Sequence, residues 1–152
     1  MSFRLGGRLK SNHVDQEAQM SKVQSQLKLT KVGRVVVPTA DVDSALEFYV
    51  GTLGFEKIVD LPMGDAGRWV ELKVADGETT IALAPPPPGK SAGGADTGII
   101  IDTTDIEADH AALKDAGVDV DEEISRYGGP VPPMFWVRDP EGNALIVVQP
   151  ND

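Results

Sequence analysis

The chain has 152 residues, no cysteine, and 24 acidic against 14 basic side chains, for a net charge of −10. That length suits one domain with a sizeable core, and the missing cysteines exclude disulfides, thiolate metal sites and a cysteine nucleophile while fitting a reducing cytoplasm. The acidity argues against nucleic-acid and anionic-membrane partners, and no apolar run reaches the ~20 residues that span a bilayer.

Residues 1–29 are polar and lack strand alternation. The first 30 residues carry a net charge of +3 and the remainder −13. Met20, followed by Ser-Lys-Val, reads as a natural start preceded by an extension or leader. A weak stripe of Val14, Ala18, Val23 and Leu27 suggests a helix over 14–27. The basic sign of this arm would suit folding back onto the acidic body.

The domain is read as residues 30–152. Its first module, 30–85, opens with a β-branched strand at 34–38. Asp41 or Asp43 then offers an N-cap for a helix whose apolar stripe is Val42, Ala45, Leu46, Tyr49, Val50 and Leu53, ended by Gly54. Strands follow near 55–60, 68–74 and 79–84, the last two joined by the turn Ala75-Asp76-Gly77-Glu78. Four prolines and a glycine-rich stretch form a linker over 86–96. The second module, 97–150, repeats the plan: a strand at 98–102, a helix over about 105–116 stopped by Gly117, and strands near 119–124, 134–138 and 144–149. A tight turn, Arg138-Asp139-Pro140-Glu141-Gly142-Asn143, joins the last two.

Read side by side, the modules align at an offset of 65: Gly33 with Gly98, Gly77 with Gly142, Pro85 with Pro150. A repeat of this length is one duplicated supersecondary unit, and two such units bury their apolar faces against each other. A concave surface between them is the natural place for a ligand.

Two stretches, Thr39-Ala-Asp-Val-Asp-Ser-Ala-Leu-Glu-Phe-Tyr49 with Leu53-Gly54-Phe55, and Arg138 to Asn143, together resemble the vicinal oxygen chelate superfamily over residues 31–150. That group includes glyoxalase I, extradiol dioxygenases, fosfomycin-modifying enzymes and bleomycin-resistance proteins. The resemblance implies an α+β fold of two tandem βαβββ modules forming a half-barrel cup, a homodimer, and a site in each cup. Metal-dependent members hold a divalent ion there with His, Gln or Glu at four strand positions. Mapped onto this chain at the 65-residue offset, those positions are Arg34, Ile81, Ile99 and Ile146. An arginine and three isoleucines offer such an ion no ligand, and a shift of one residue supplies no imidazole or carboxylate. Of the two histidines, His13 lies in the leader and His110 reads as a packing residue on the second helix. No metal and no other cofactor is expected.

In the cup, Arg34 would be a fixed positive charge among Ile81, Ile99 and Ile146, able to pair with a carboxylate or phosphate. Equally, it could pair with Glu71 and only tie two strands together. Trp69, Phe135 and Trp136 lie on corresponding strands as stacking platforms or as core; of the adjacent pair Phe135 and Trp136, one must face away from the cup. Tyr127, in a loop rich in glycine and proline, could gate the rim or simply lie on the surface. Glu71 and Asp102 are lone carboxylates on strands, solvated unless the fold buries them. The function this implies is metal-independent binding of a small organic molecule by sequestration, as in the bleomycin- and mitomycin-resistance branch. The alternative is a metal-free isomerase, lyase or cyclase in which Glu71 or Tyr127 moves protons. A third reading, a metal-dependent glyoxalase or dioxygenase, lacks the ligands it needs.

Overall fold

The structure, a computed structural model, describes residues 6–152; residues 1–5 of the expected leader lie outside the described residues. Val32–Asp152 forms one compact unit, and the segment ending at Lys31 forms another. In that first segment the helix α1 spans Gly6–Gln26, longer than the apolar stripe alone predicts. Its His13 Nδ1 lies 3.2 Å from Glu17 Oε1, one helical turn on.

The compact unit carries two βαβββ modules. Module one runs β1 (Arg34–Pro38), α2 (Val42–Leu46) continuing into a π-helical turn (Glu47–Thr52), β2 (Glu56–Pro62), β3 (Arg68–Lys73) and β4 (Thr80–Ala84). Module two runs β5 (Asp96–Asp102), α3 (Ile106–Asp115), the short β6 (Asp119–Val120), β7 (Met134–Arg138) and β8 (Ala144–Val148). Each module folds as its own four-stranded mixed sheet, ordered β1-β4-β3-β2 and β5-β8-β7-β6. In both, the first strand is an edge strand lying parallel to the last, as a helical crossover allows.

Both module helices begin on an aspartate N-cap. Asp41 Oδ1 accepts from the Ser44 N–H and Asp105 Oδ1 from the Ala108 N–H, each at 3.1 Å. Both helices end at a glycine in the left-handed region, Gly54 at φ 78° and Gly117 at φ 77°, where a side chain is disfavoured.

Backbone hydrogen bonds correct the expected repeat. The Thr39 N–H donates to Ala84 O at 2.8 Å, and the Thr103 N–H donates to Val148 O at 2.8 Å. Pro38 pairs with Ala84 as Asp102 pairs with Val148. The spacing is 64 in the first and last strands, rather than 65, and moves their positions by one residue, whereas β3 and β7 keep 65, with Glu71 on Ala82 and Trp136 on Ile146. Two irregularities also set the modules apart. The π-turn adds a residue at the end of α2, so that Phe55 N bonds to Tyr49 O where the second module bonds Val118 N to Leu113 O. A bulge between Asp96 and Ile100, with Gly98 at φ 68°, disturbs the start of β5.

A single core joins the helix-facing sides of both sheets. It includes Val37, Val70, Leu72, Ile81 and Leu83 from module one and Phe135, Val137, Leu145 and Val147 from module two. Phe48 and Tyr49 pack edge to face in it at 5.0 Å between ring centroids. The modules are also joined by polar bonds through the turn after β7. Tyr49 Oη donates to Asp139 Oδ2 at 2.8 Å, in full burial. Glu141 Oε1 accepts from the N–H groups of Ala40 at 2.9 Å and Asp41 at 3.2 Å, and Asn143 Nδ2 donates to Pro38 O at 3.3 Å. The Arg138–Asn143 motif therefore does two things: it turns a hairpin and it locks module two onto the start of the first module's helix.

Candidate functional site

The helices cover one side of each sheet and leave the opposite face free of them, and strand register decides which residues lie on that outer face. On the first sheet, Arg34 pairs with Thr80, Val36 with Ala82, Glu71 with Ala82 and with Val59, and Leu61 with Trp69. Paired residues share a face, so Arg34, Val36, Trp69, Glu71, Thr80 and Ala82 all point outward. On the second sheet, Ile146 pairs with both Ile100 and Trp136, which places these three on its outer face.

Arg34, Trp69, Trp136 and Ile146 thus reach the outer faces, whereas Ile81, Ile99 and Phe135 do not. Ile81 and Phe135 are core residues, and Ile99 packs against that core. The Phe135 ring lies 4.9 Å from that of His110, whose Nε2 is 2.7 Å from Asp121 O, so His110 is a packing residue. For Ile81 and Ile99 the physical reason is the one-residue slip in the repeat, which sends a strand side chain to the opposite face; for Phe135 it is the alternation with Trp136, which takes the outer face. Ala82 occupies the place expected of Ile81, and Gly98 and Ile100 flank Ile99. The available signal was Gly98 itself, because a glycine inside a strand pattern marks a bulge and a change of phase.

The corrected positions decide the fit of a metal. Arg34, Ala82, Gly98 or Ile100, and Ile146 carry neither imidazole nor carboxylate. No group of three or more His, Asp or Glu side chains able to hold an ion occurs among the described residues. The residues at the superfamily's ligand positions do not fit a divalent ion.

Arg34 instead joins a polar cluster centred on Glu71. Glu71 is only 9% exposed and accepts three bonds. Arg34 Nε lies 3.0 Å from Oε1, the Trp69 indole N–H donates to Oε1 at 2.9 Å, and the Thr80 hydroxyl donates to Oε2 at 3.1 Å. The Trp69 bond, ahead of the Thr80 hydroxyl and the Arg34 charge, holds the Glu71 carboxyl below the ordinary carboxylate range although burial pushes it upward. Glu71 is therefore ionised at neutral pH but a weakened base with both oxygens engaged, whereas a carboxylate that moves protons near neutral pH is one whose pKa is raised. Arg34 meets Glu71 through Nε alone. Its two terminal NH2 groups make no hydrogen bond among the described residues, and its side chain is 55% exposed. The pair does tie two strands, as the structural reading of Arg34 expects, yet it also aims the free end of the guanidinium outward.

The remaining candidates lie apart from this cluster. Asp102 pairs with Val148 at the end of β5 and is solvent-exposed. Tyr127 is 67% exposed in its loop, next to Arg126, which forms an ion pair with Glu107. Neither is buried in a way that would tune it for proton transfer.

Comparison with known proteins gives the same fold. A curated relative, the uncharacterized protein YetH of Bacillus subtilis (strain 168), is 24% identical over 124 residues, covering 78% of this chain and 98% of that protein. The crystal structure of TnmS3, an antibiotic binding protein from Streptomyces sp. CB03234, is 31% identical with a TM-score of 0.71, covering 82% of this chain and 99% of its own. A structure from Sphaerobacter thermophilus DSM 20745 is 31% identical with a TM-score of 0.70, covering 81% of this chain and 99% of that one. The sequence pattern of the Glyoxalase/Bleomycin resistance protein/Dioxygenase superfamily matches residues 31–147, and the chain belongs to that superfamily.

Proposed function

We propose that this protein binds and sequesters a small, flat organic molecule on the outer faces of its sheets, without a resident metal ion. The observation that carries the reading is the anchored guanidinium. Glu71 holds Arg34 through Nε and leaves its bidentate end for a carboxylate, phosphate or carbonyl oxygen of a ligand. Trp69 beside it and Trp136 on the second sheet offer aromatic faces for stacking, and Ile146 adds apolar area. The antibiotic-binding protein TnmS3, at 31% identity, supports a natural product as the class of guest. In this reading the protein is a cytoplasmic homodimer, whose second copy covers the exposed Val36 and Ile100 of the outer faces. The alternative of a metal-free isomerase, lyase or cyclase is weakened, since the donors around Glu71 lower its affinity for a proton.

The test combines elemental analysis of protein purified without chelator with tryptophan-fluorescence titrations against a panel of aromatic antibiotics and aromatic carboxylates. The reading expects less than about 0.1 equivalent of Zn, Ni, Mn, Fe or Co. It also expects saturable quenching, ligand recovered chemically unchanged, and at least tenfold weaker binding of acidic ligands by Arg34→Met. Stoichiometric metal surviving dialysis, or conversion of a bound ligand, would overturn it.

A further inference from the structure

The two modules differ where their helices meet the core, and the difference leaves a hole. Because Asp41 and Asp105 cap the two helices equivalently, Ala45, Phe48 and Tyr49 of α2 and its π-turn correspond to Asp109, Ala112 and Leu113 of α3. In module one, Phe48 and Tyr49 are buried and fill their space. In module two the same positions hold an exposed alanine and a half-buried leucine. One aromatic ring and part of another are missing, and a cavity of about 230 Å³ lies there.

Leu53 and Phe55 of module one and Leu113, Val137, Leu145 and Val147 of module two supply its apolar lining, most of it continuous with the core. Its polar lining comes from Thr52, Thr103, Asp102 and Asp109, so both charged residues are acidic. Asp109 stands where module one has buried Ala45. Its Oδ2 accepts from the Thr103 hydroxyl, and Oδ1 has no hydrogen bond among the described residues.

We propose that this crevice is a second binding site, separate from the outer faces, for a one-ring aromatic compound bearing a protonated amine. The ring takes the place of the aromatic group that module two lacks, and the ammonium donates to Asp109. The size agrees: an apolar cavity of about 150 Å³ holds benzene, whereas drug-sized ligands occupy about 300 Å³ or more. The charge agrees too, since two exposed carboxylates, Asp102 and Asp109, beside an apolar wall and with no basic residue in the lining favour a cation over an anion.

The experiment titrates benzylamine, benzyl alcohol and benzoate into the isotopically labelled full-length protein, followed by amide NMR. Shifts are expected around Leu53, Ala112, Leu113 and Val147, with benzylamine bound at least tenfold more tightly than benzyl alcohol and benzoate weaker still. Ala112→Phe, which restores the module-one residue, should abolish these shifts. If that variant does not fold, Ala112→Leu fills less of the space and should still weaken benzylamine at least tenfold. Asp109→Asn should erase the preference for the amine while keeping benzyl alcohol binding. The proposal is overturned if none of the probes binds up to about 10 mM. It is equally overturned if the shifts fall elsewhere, or if Ala112→Leu binds benzylamine as the wild type does. Because these readouts lie on the helix side, they are independent of binding to the outer faces.

Discussion

Replacing Tyr49 by phenylalanine isolates the bond that joins the two modules. The phenol donates to Asp139 Oδ2 at 2.8 Å in a fully buried setting, and the ring packs between Phe48 and Phe55 at centroid distances of 5.0 and 6.0 Å. Phenylalanine keeps that packing and removes only the donor. A hydrogen bond to an ionised acceptor contributes about 1.5–3 kcal/mol. Asp139 retains its bonds from the N–H groups of Glu141 and Asn143 and from Asn143 Nδ2, so its charge is not orphaned and the lower part of that range applies. The expected loss is therefore about 1.5–2 kcal/mol, or a fall in Tm of roughly 6 °C for a unit of this size.

The measurement is urea unfolding followed by tryptophan fluorescence, repeated from pH 6 to 11. Burial, then the charge and hydrogen bond of Asp139, push the Tyr49 phenol well above its ordinary value. A raised folded value means that the unfolded tyrosine ionises first, near pH 10, so the stability contributed by the protonated phenol is complete below that pH and declines above it. The gap between wild type and Tyr49→Phe should be constant from pH 6 to 9 and shrink beyond about pH 10. A gap below about 0.3 kcal/mol at neutral pH, or one that widens in alkali, would refute the reasoning.

Three smaller outcomes follow from other features. Ala75 sits at φ 47° in the turn after β3, so Ala75→Gly should stabilise the protein by about 0.5–1 kcal/mol in calorimetry; a destabilised variant would show that the turn does not hold that conformation. Glu141→Gln weakens the charged acceptor on the first N–H groups of α2's entry and should cost about 1 kcal/mol, with the loss shrinking in high salt if the helix-end charge is responsible. Hydrogen bonds from Arg68, then from Lys57, lower the Asp60 carboxyl to about 2. Its contribution is present above the unfolded carboxylate value and lost as pH falls through about 2, so acid unfolding of wild type and Asp60→Asn should converge there; curves that stay parallel down to pH 2 would exclude the effect.

The relation of sequence to structure is clearest in the paired elements. Local chemistry alone determined the two modules: β-branched strands, aspartate caps, apolar helix stripes and glycine stops place β1, α2, α3, β7 and β8 within a residue or two of where they lie. It also determined the absence of metal ligands, since no reading of the four positions supplies a carboxylate or imidazole. What only the tertiary structure decided was the phase of the strands. A π-turn adds one residue at the end of the first helix and a bulge around Gly98 adds two at the start of β5, without changing the pattern of apolar and polar side chains. In a strand with a period of two, a spacing of 64 rather than 65 carries Ile81 and Ile99 into the core side and brings Ala82 and Ile100 outward. The same is true of the contacts that give the site its character. Glu71's three donors come from β1, β3 and β4, and Tyr49 reaches an aspartate 90 residues away. Those partnerships depend on which strands lie side by side, and neighbouring strands are set by long-range packing that no local pattern encodes.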